Sequence, residues 1–252
     1  MNLDILDRWP LIEIDGREFY LKYDTNYSEC ELRFDYSAPI NSKLSFEMAQ
    51  AVGYKYHPEI KLHTERGILS SAEEKVGETL DKPPFNFDTY YTMRAFFPSH
   101  IWRWRYKKLL RMFGQSMVPG DIYRIFSNMS DSSFPNNLAY DGEHLRWIDF
   151  GDSFSSESFG YYWSDIQHYF RKVRKIWKSK GEDVLQKIQD LDDSTIEEIV
   201  NSVLFHPDIV RLASNAPIKE AYGKTFGETL QSYAEKVIGF IKHKRDMMRT
   251  LV

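Results

Sequence analysis

The sequence predicts an α+β fold, with a small β-rich lobe over residues 1–96 that includes one helix, and a larger, mainly helical lobe over 97–252. Three observations predict it. Two short β-prone runs flank Asp15-Gly16 in LIEIDGREFYLKY, and that dipeptide suits a tight hairpin turn with positive φ. Pro98 marks a change of pattern, beyond which apolar residues recur at helical spacing. Within the helical half, the stretch LRWIDFGDSF, residues 145–154, ends a short apolar run on an acid.

The elements follow in chain order. The two runs within residues 11–23 form the hairpin strands. In residues 41–53, Leu44, Met48 and Val52 fall at i, i+4 and i+8; Asn41 or Ser42 can cap this amphipathic helix and Gly53 can end it. Residues 58–62 and 87–97 read as strands separated by a polar stretch containing Pro83-Pro84, with a junction near 93–99. Helical spacing then dominates in 101–113, 118–128, 162–178, 182–191, 194–204 and 226–249. Ser194-Thr-Ile-Glu197 has capping-box spacing and predicts one helix start, while Val237, Phe240 and Ile241 give the last helix an apolar side. Leu145 to Ile148 reads as a short strand after the turn Tyr140-Asp-Gly-Glu143. The chain contains no internal repeat and no low-complexity tract.

Composition narrows the function. A chain of 252 residues, 42% hydrophobic and 28% charged, can bury a substantial core as an ordinary globular protein. Its 33 lysines and arginines against 37 acids leave a net charge of -4, so no global positive field draws nucleic acid or anionic membrane. Two local stretches, 100–111 and 171–180, combine cations with tryptophan. The favoured reading places Ile101, Trp104, Leu109 and Met112 on the core side of a helix with the cations solvated; the alternative is binding of nucleic acid or another acidic partner through Arg103, Arg105 and their neighbours. Cys30 is the single cysteine, which excludes an internal disulfide and a multi-thiolate metal site. Acids stand where a signal peptide has basic residues, and no window approaches the ~20 apolar residues of a spanning helix, so a cytoplasmic location is expected. The histidines form no HExxH pair and no G-x-S-x-G elbow is present, which argues against zinc and serine hydrolases.

The acid at the end of residues 145–148 has a chemical use. An acid ending an apolar strand is costly unless something pairs with it, and Asp149 stands there. Upstream, Asp131 and Asn136 are separated by five positions in SNMSDSSFPNNL. Phosphoryl transfer from a nucleotide needs a carboxylate near the attacking hydroxyl and oxygen ligands for Mg²⁺, and kinases draw these from a loop Asp, an Asn five residues on and an Asp-Phe-Gly acid on the next strand. Asp121, in Val118-Pro-Gly-Asp121, offers a second frame, but Phe126 stands five residues later where an Asn is needed.

At these residues the chain resembles the kinase-like superfamily, particularly its atypical members: HipA-type kinases, phosphatidylinositol kinases and aminoglycoside or choline phosphotransferases. WIDFGDSF is similar to the HIDFG and IDFGD stretches of those families, SNMSDSSFPNNL to the HipA catalytic loop, and residues 41–62 to the segment that follows the family's strand lysine. The resemblance covers roughly residues 10–170. It implies a two-lobed protein-kinase-like fold and an ATP- and Mg²⁺-dependent phosphotransferase that acts on a hydroxyl of a protein, or otherwise of a small molecule. It implies Asp131 as the catalytic acid, Asn136 and Asp149 as metal ligands, and Lys22 as the residue holding nucleotide phosphates. Asp165 would brace the catalytic loop; Asp152 reads first as a turn or cap acid and otherwise as a further metal-ligand candidate. Three features depart from the pattern. Ser132-Ser133 replace an Arg-His pair; Ser42 stands where the acid partner of the lysine is expected, with Glu47 the nearest substitute at the nucleotide site; and no glycine-rich loop precedes the hairpin. These departures keep a pseudokinase or interaction module as the alternative.

Overall fold

Residues 10–22, 25–28, 31–34, 37–65, 68–80, 100–129, 137–151, 153–154, 179–213 and 226–250 are described by the structure, a computed structural model. The class is α+β, as expected. Strands β1 (Leu11–Ile14) and β2 (Arg17–Lys22) pair as the hairpin around Asp15-Gly16. Both turn residues have positive φ, 53° and 75°, the condition for a turn that matches the strand twist.

The hairpin extends into a four-stranded antiparallel sheet, order β1-β2-β6-β5, through β6 (Ile68–Glu74) and β5 (Ile60–Glu65). Side chains alternate across it. Phe19, Leu21 and Ala72 gather on one face with Ile12 and Ile14. Lys22, Ser71, Glu73, Leu62 and Leu69 share the other face by register, and its two leucines join the main core. Strands β3 (Thr25–Ser28) and β4 (Glu31–Phe34) make a two-stranded ladder; β7 (Glu78–Thr79), β8 (Leu138–Tyr140) and β9 (Leu145–Trp147) make a three-stranded one.

Helix α1 (Ser37–Ala51) packs on β5 and β6 and buries Leu44, Met48 and Val52, the stripe read from the sequence. Gly53, at φ 69°, ends it: its N–H reaches Gln50 O and the Tyr54 N–H reaches Ala49 O, the paired bonds of a left-handed C-cap. Its start lies earlier than the expected cap at Asn41 or Ser42. Pro39 sits in the first turn, where helix N–H groups have no intrahelical partner, so the ring costs nothing there. Asn41 instead accepts the Tyr233 hydroxyl.

Helix α2 (His100–Ser127) joins the two predicted segments 101–113 and 118–128 across a kink at Phe113 (φ -119°, ψ 22°). Pro119 follows within two turns, lacking the N–H for Gln115 and crowding its carbonyl. The remaining helices among the described residues are α3 (Glu182–Asp190), α4 (Asp193–Leu204), α5 (Pro207–Ala213) and α6 (Phe226–Arg249). The cap of α4 is Asp192, not Ser194: its carboxylate accepts the Thr195 N–H at 2.7 Å and the Ser194 hydroxyl at 2.6 Å, placing a negative charge at the positive helix end.

One main core runs from Leu44 and Met48 of α1 through Leu109, Tyr123 and Trp147 to Val237 and Ile241 of α6. Met112 departs from the expected core stripe. It is 58% exposed while Leu109 and Leu110 are buried, because the stripe continues through Phe113, which packs against the core at the kink. The expected strand 87–97, the helix 162–178, the lobe division at 96/97, the side chains of Arg103, Trp104 and Arg105 and most of the basic stretch 171–180 lie outside the described residues. Among the described residues no helix is long and apolar enough to cross a membrane.

Candidate functional site

The acid at residue 149 is delivered by the β8–β9 hairpin. Its turn is tied by Asp141, whose Oδ1 accepts the N–H groups of Glu143 (2.9 Å) and His144 (2.7 Å). The Leu145 N–H donates to Ser116 Oγ at 3.1 Å, fixing β9 on α2. Trp147 is anchored by its indole N–H on the buried Asp121 carboxylate (3.1 Å), under the Arg124 guanidinium 4.1 Å from the ring centroid. Gly120 makes room for it, since a Cβ there would lie 2.7 Å from the Trp147 ring and 2.8 Å from the Tyr54 hydroxyl. Asp121, the acid of the second frame, is therefore a structural anchor.

Beyond β9 the backbone turns into left-handed geometry at Asp149, φ 66°. That conformation is uncommon for a non-glycine residue and strained enough to mark a constrained site. Phe150 then drops into the core, stacked on His57 with centroids 4.0 Å apart, and Phe154 returns to α2, its N–H donating to Ser127 O at 2.6 Å. Gly151 passes over the start of α1; a Cβ there would meet Ala38 at 3.4 Å. The backbone is gripped on both sides, so the Asp149 carboxylate is left pointing outward, its side chain 45% exposed.

His57 belongs to the packing behind the site. Its Nδ1 donates to Pro58 O at 2.7 Å, which leaves Nε2 to accept from Ser45 Oγ at 3.0 Å, while the Tyr123 hydroxyl donates to Ser45 O at 2.5 Å. Burial drives the imidazole pKa down to about 3 against the opposing pull of the Pro58 carbonyl, so the ring is neutral. It is a packing surface for Phe150.

Lys22 ends β2 on the sheet face that carries Glu73. Its ammonium lies 2.7 Å from Glu73 Oε2 and 3.1 Å from Asp149 Oδ1. The Lys22 side chain is 17% exposed and that of Glu73 only 4%. Burial alone would lower the lysine pKa, but the two carboxylates outweigh it and hold the pKa above its ordinary value. Glu73 Oε1 also accepts the Asp149 N–H at 3.1 Å. With formal charges of +1, -1 and -1 the cluster carries one net negative charge, and Asp149 is its exposed member.

The structure thus brings together Lys22 and Asp149, two of the residues read from the sequence. It does not bring Glu47 to Lys22. Glu47 pairs with Lys43 one turn back on α1, and the acid beside Lys22 comes from the sheet. Sequence reasoning missed Glu73 because residues 68–74, ILSSAEE, carry serines at positions that face the core; the signal was the alternation that sets Leu69, Ser71 and Glu73 on one face. Asp131, Asn136, Asp152 and Asp165 lie outside the described residues. The Asn137 carbonyl accepts the Ile148 N–H at 3.0 Å. Among the described residues no group of three or more His, Cys, Asp and Glu side chains could hold a metal ion.

No known protein family and no curated protein matches the chain. Among solved structures it is similar to one described as the Shewanella oneidensis MR-1 toxin-antitoxin system HipA, HipB and its operator DNA complex. The identity is 12% and the TM-score 0.43, over 98% of this chain and 70% of the matched one. A likeness this remote assigns no role to any residue.

Proposed function

We propose that the protein is an ATP- and Mg²⁺-dependent phosphotransferase of the HipA-like kinase type, acting on a hydroxyl of a protein. The observation that carries this reading is the Lys22 ammonium held between Glu73 and the open carboxylate of Asp149, the acid of IDFG. In phosphotransferases of this kind, a strand lysine draws in nucleotide phosphates and the IDFG acid binds the metal that bridges them.

Lys22 would hold the phosphates, and Asp149 with Asn136 would hold Mg²⁺, which neutralises charge on the transferred group. Asp131 would orient the acceptor hydroxyl for in-line attack. Little covalent chemistry falls to the protein; positioning and electrostatics supply most of the acceleration.

The test is Asp149→Ala. It is expected to abolish Mg-ATP turnover while far-UV circular dichroism stays unchanged; an unaltered rate removes Asp149 from the mechanism. In the wild type, Mg-ATP at 100 times its dissociation constant is expected to stabilise the fold by ~2.7 kcal/mol in a thermal-shift assay. A second reading, a nucleotide-binding pseudokinase, is favoured by Ser132-Ser133 in place of the basic pair. It predicts the thermal shift without turnover.

A further inference from the structure

The geometry points to Glu73 as the positioning residue that presets the phosphate-holding lysine and the metal-holding acid together, from the sheet and not from helix α1. The inference rests on the phosphotransferase reading above and concerns how that site is assembled.

Glu73 acts through both carboxylate oxygens. Oε2 faces the Lys22 ammonium at 2.7 Å, and Oε1 accepts the Asp149 N–H at 3.1 Å. One buried side chain therefore fixes a strand residue and the backbone of a turn 76 positions away. A carboxylate this buried is costly without partners, so each contact favours the other. The accepted N–H also helps hold Asp149 at its left-handed φ of 66°, the conformation that leaves its carboxylate outward.

The support is rigid. β2 and β6 are neighbours in one sheet with Tyr20 opposite Glu73 and Lys22 opposite Ser71, so Lys22 and Glu73 are diagonal neighbours on a common face. Ladder hydrogen bonds set their separation. Where the lysine's partner acid sits on a helix, helix position decides whether the pair forms, and this is a control point in protein kinases. Here α1 spends its acid internally, as Glu47 pairs with Lys43, whose ammonium also reaches Ile60 O at 3.2 Å. Sheet register, and not an acid on α1, sets the Lys22–Glu73 pair. The Lys22–Glu73–Asp149 cluster thus takes its acids from the sheet and the IDFG turn, and none from α1.

The experiment compares Glu73→Gln, Glu73→Asp and Glu47→Gln in the full chain. Calorimetry with Mg-ATP and steady-state kinetics give one readout; double-mutant cycles with Lys22→Met on the unfolding midpoint give another, independent of activity. Glu73→Gln is expected to weaken Mg-ATP at least tenfold and to lower kcat. Glu73→Asp keeps the charge with a shorter reach and is expected to fall between Gln and wild type, which also serves if the Gln variant fails to fold. Glu47→Gln is expected to stay within twofold of wild type. The midpoint changes should be non-additive for Lys22 with Glu73 and additive for Lys22 with Glu47. Loss of affinity in Glu47→Gln with Glu73→Gln at wild-type level overturns the inference, as do additive changes for Lys22 with Glu73. If the wild type neither binds nor turns over Mg-ATP, the phosphotransferase reading fails, while the cycles still decide which acid holds Lys22.

Discussion

Lys244 is a buried cation with no carboxylate beside it among the described residues. The residue is 8% exposed, its ammonium donates to Asn128 Oδ1 at 2.8 Å, and the Phe240 ring lies 5.4 Å away. Asn128, at φ 57°, closes α2 in the same cap geometry as Gly53: its N–H reaches Ile125 O and the Met129 N–H reaches Arg124 O. The ammonium thus stands at the negative end of that helix, which offsets part of its desolvation. Burial nevertheless pushes its pKa down to about 8 from 10.5. A lowered folded-state pKa means that the unfolded chain binds the proton more tightly, so stability from this group rises with pH between about 8 and 10.5 and is lost as pH falls back through that window. Lys244→Met removes the term. The unfolding free energy of wild type minus variant should therefore climb across this window in denaturant titrations, and a flat difference would show that Lys244 is solvated. Nothing in the sequence announced this residue, since a lysine in a helix is ordinarily a solvated one.

Helix α1 shows how far local pattern reaches at the scale of an element. Its buried stripe and its Gly53 stop are both written in residues 44–53, because a 3.6-residue period and a positive-φ terminator depend only on neighbours in the chain. Gly53 is at φ 69° and a Cβ there would meet the Lys187 side chain at 2.7 Å. Gly53→Ala should cost about 1–2 kcal/mol through left-handed strain alone, measured by urea denaturation; wild-type stability would mean that the helix end rearranges. Strands fared less evenly. The hairpin at Asp15-Gly16 was legible from its turn, whereas β6 and the short β3, β4, β7 and β8 were not, because their stability comes from partners far along the chain. The kink that joins the two predicted segments of α2 is likewise a matter of what Phe113 packs against.

For the molecule as a whole, the continuous core matters most. Apolar residues of α1, α2, β9, α4 and α6 belong to one cluster, so α1 and the helices after residue 100 are coupled by burial. Far-UV circular dichroism and intrinsic fluorescence should accordingly report coincident unfolding transitions; two separated transitions would show that the parts on either side of residues 81–99 unfold independently. The sequence by itself determined the α+β class, the first hairpin, the stripe of α1, the long last helix and the strand-end placement of Asp149, all features set by periods and turn chemistry within about a dozen residues. Only the tertiary structure decided that Lys22 meets Asp149, that Glu73 and not Glu47 pairs with Lys22, and that Asp121 serves Trp147. Those pairings join residues dozens of positions apart, where sheet register and the packing of a shared core fix which side chains meet, and no local period encodes that distance.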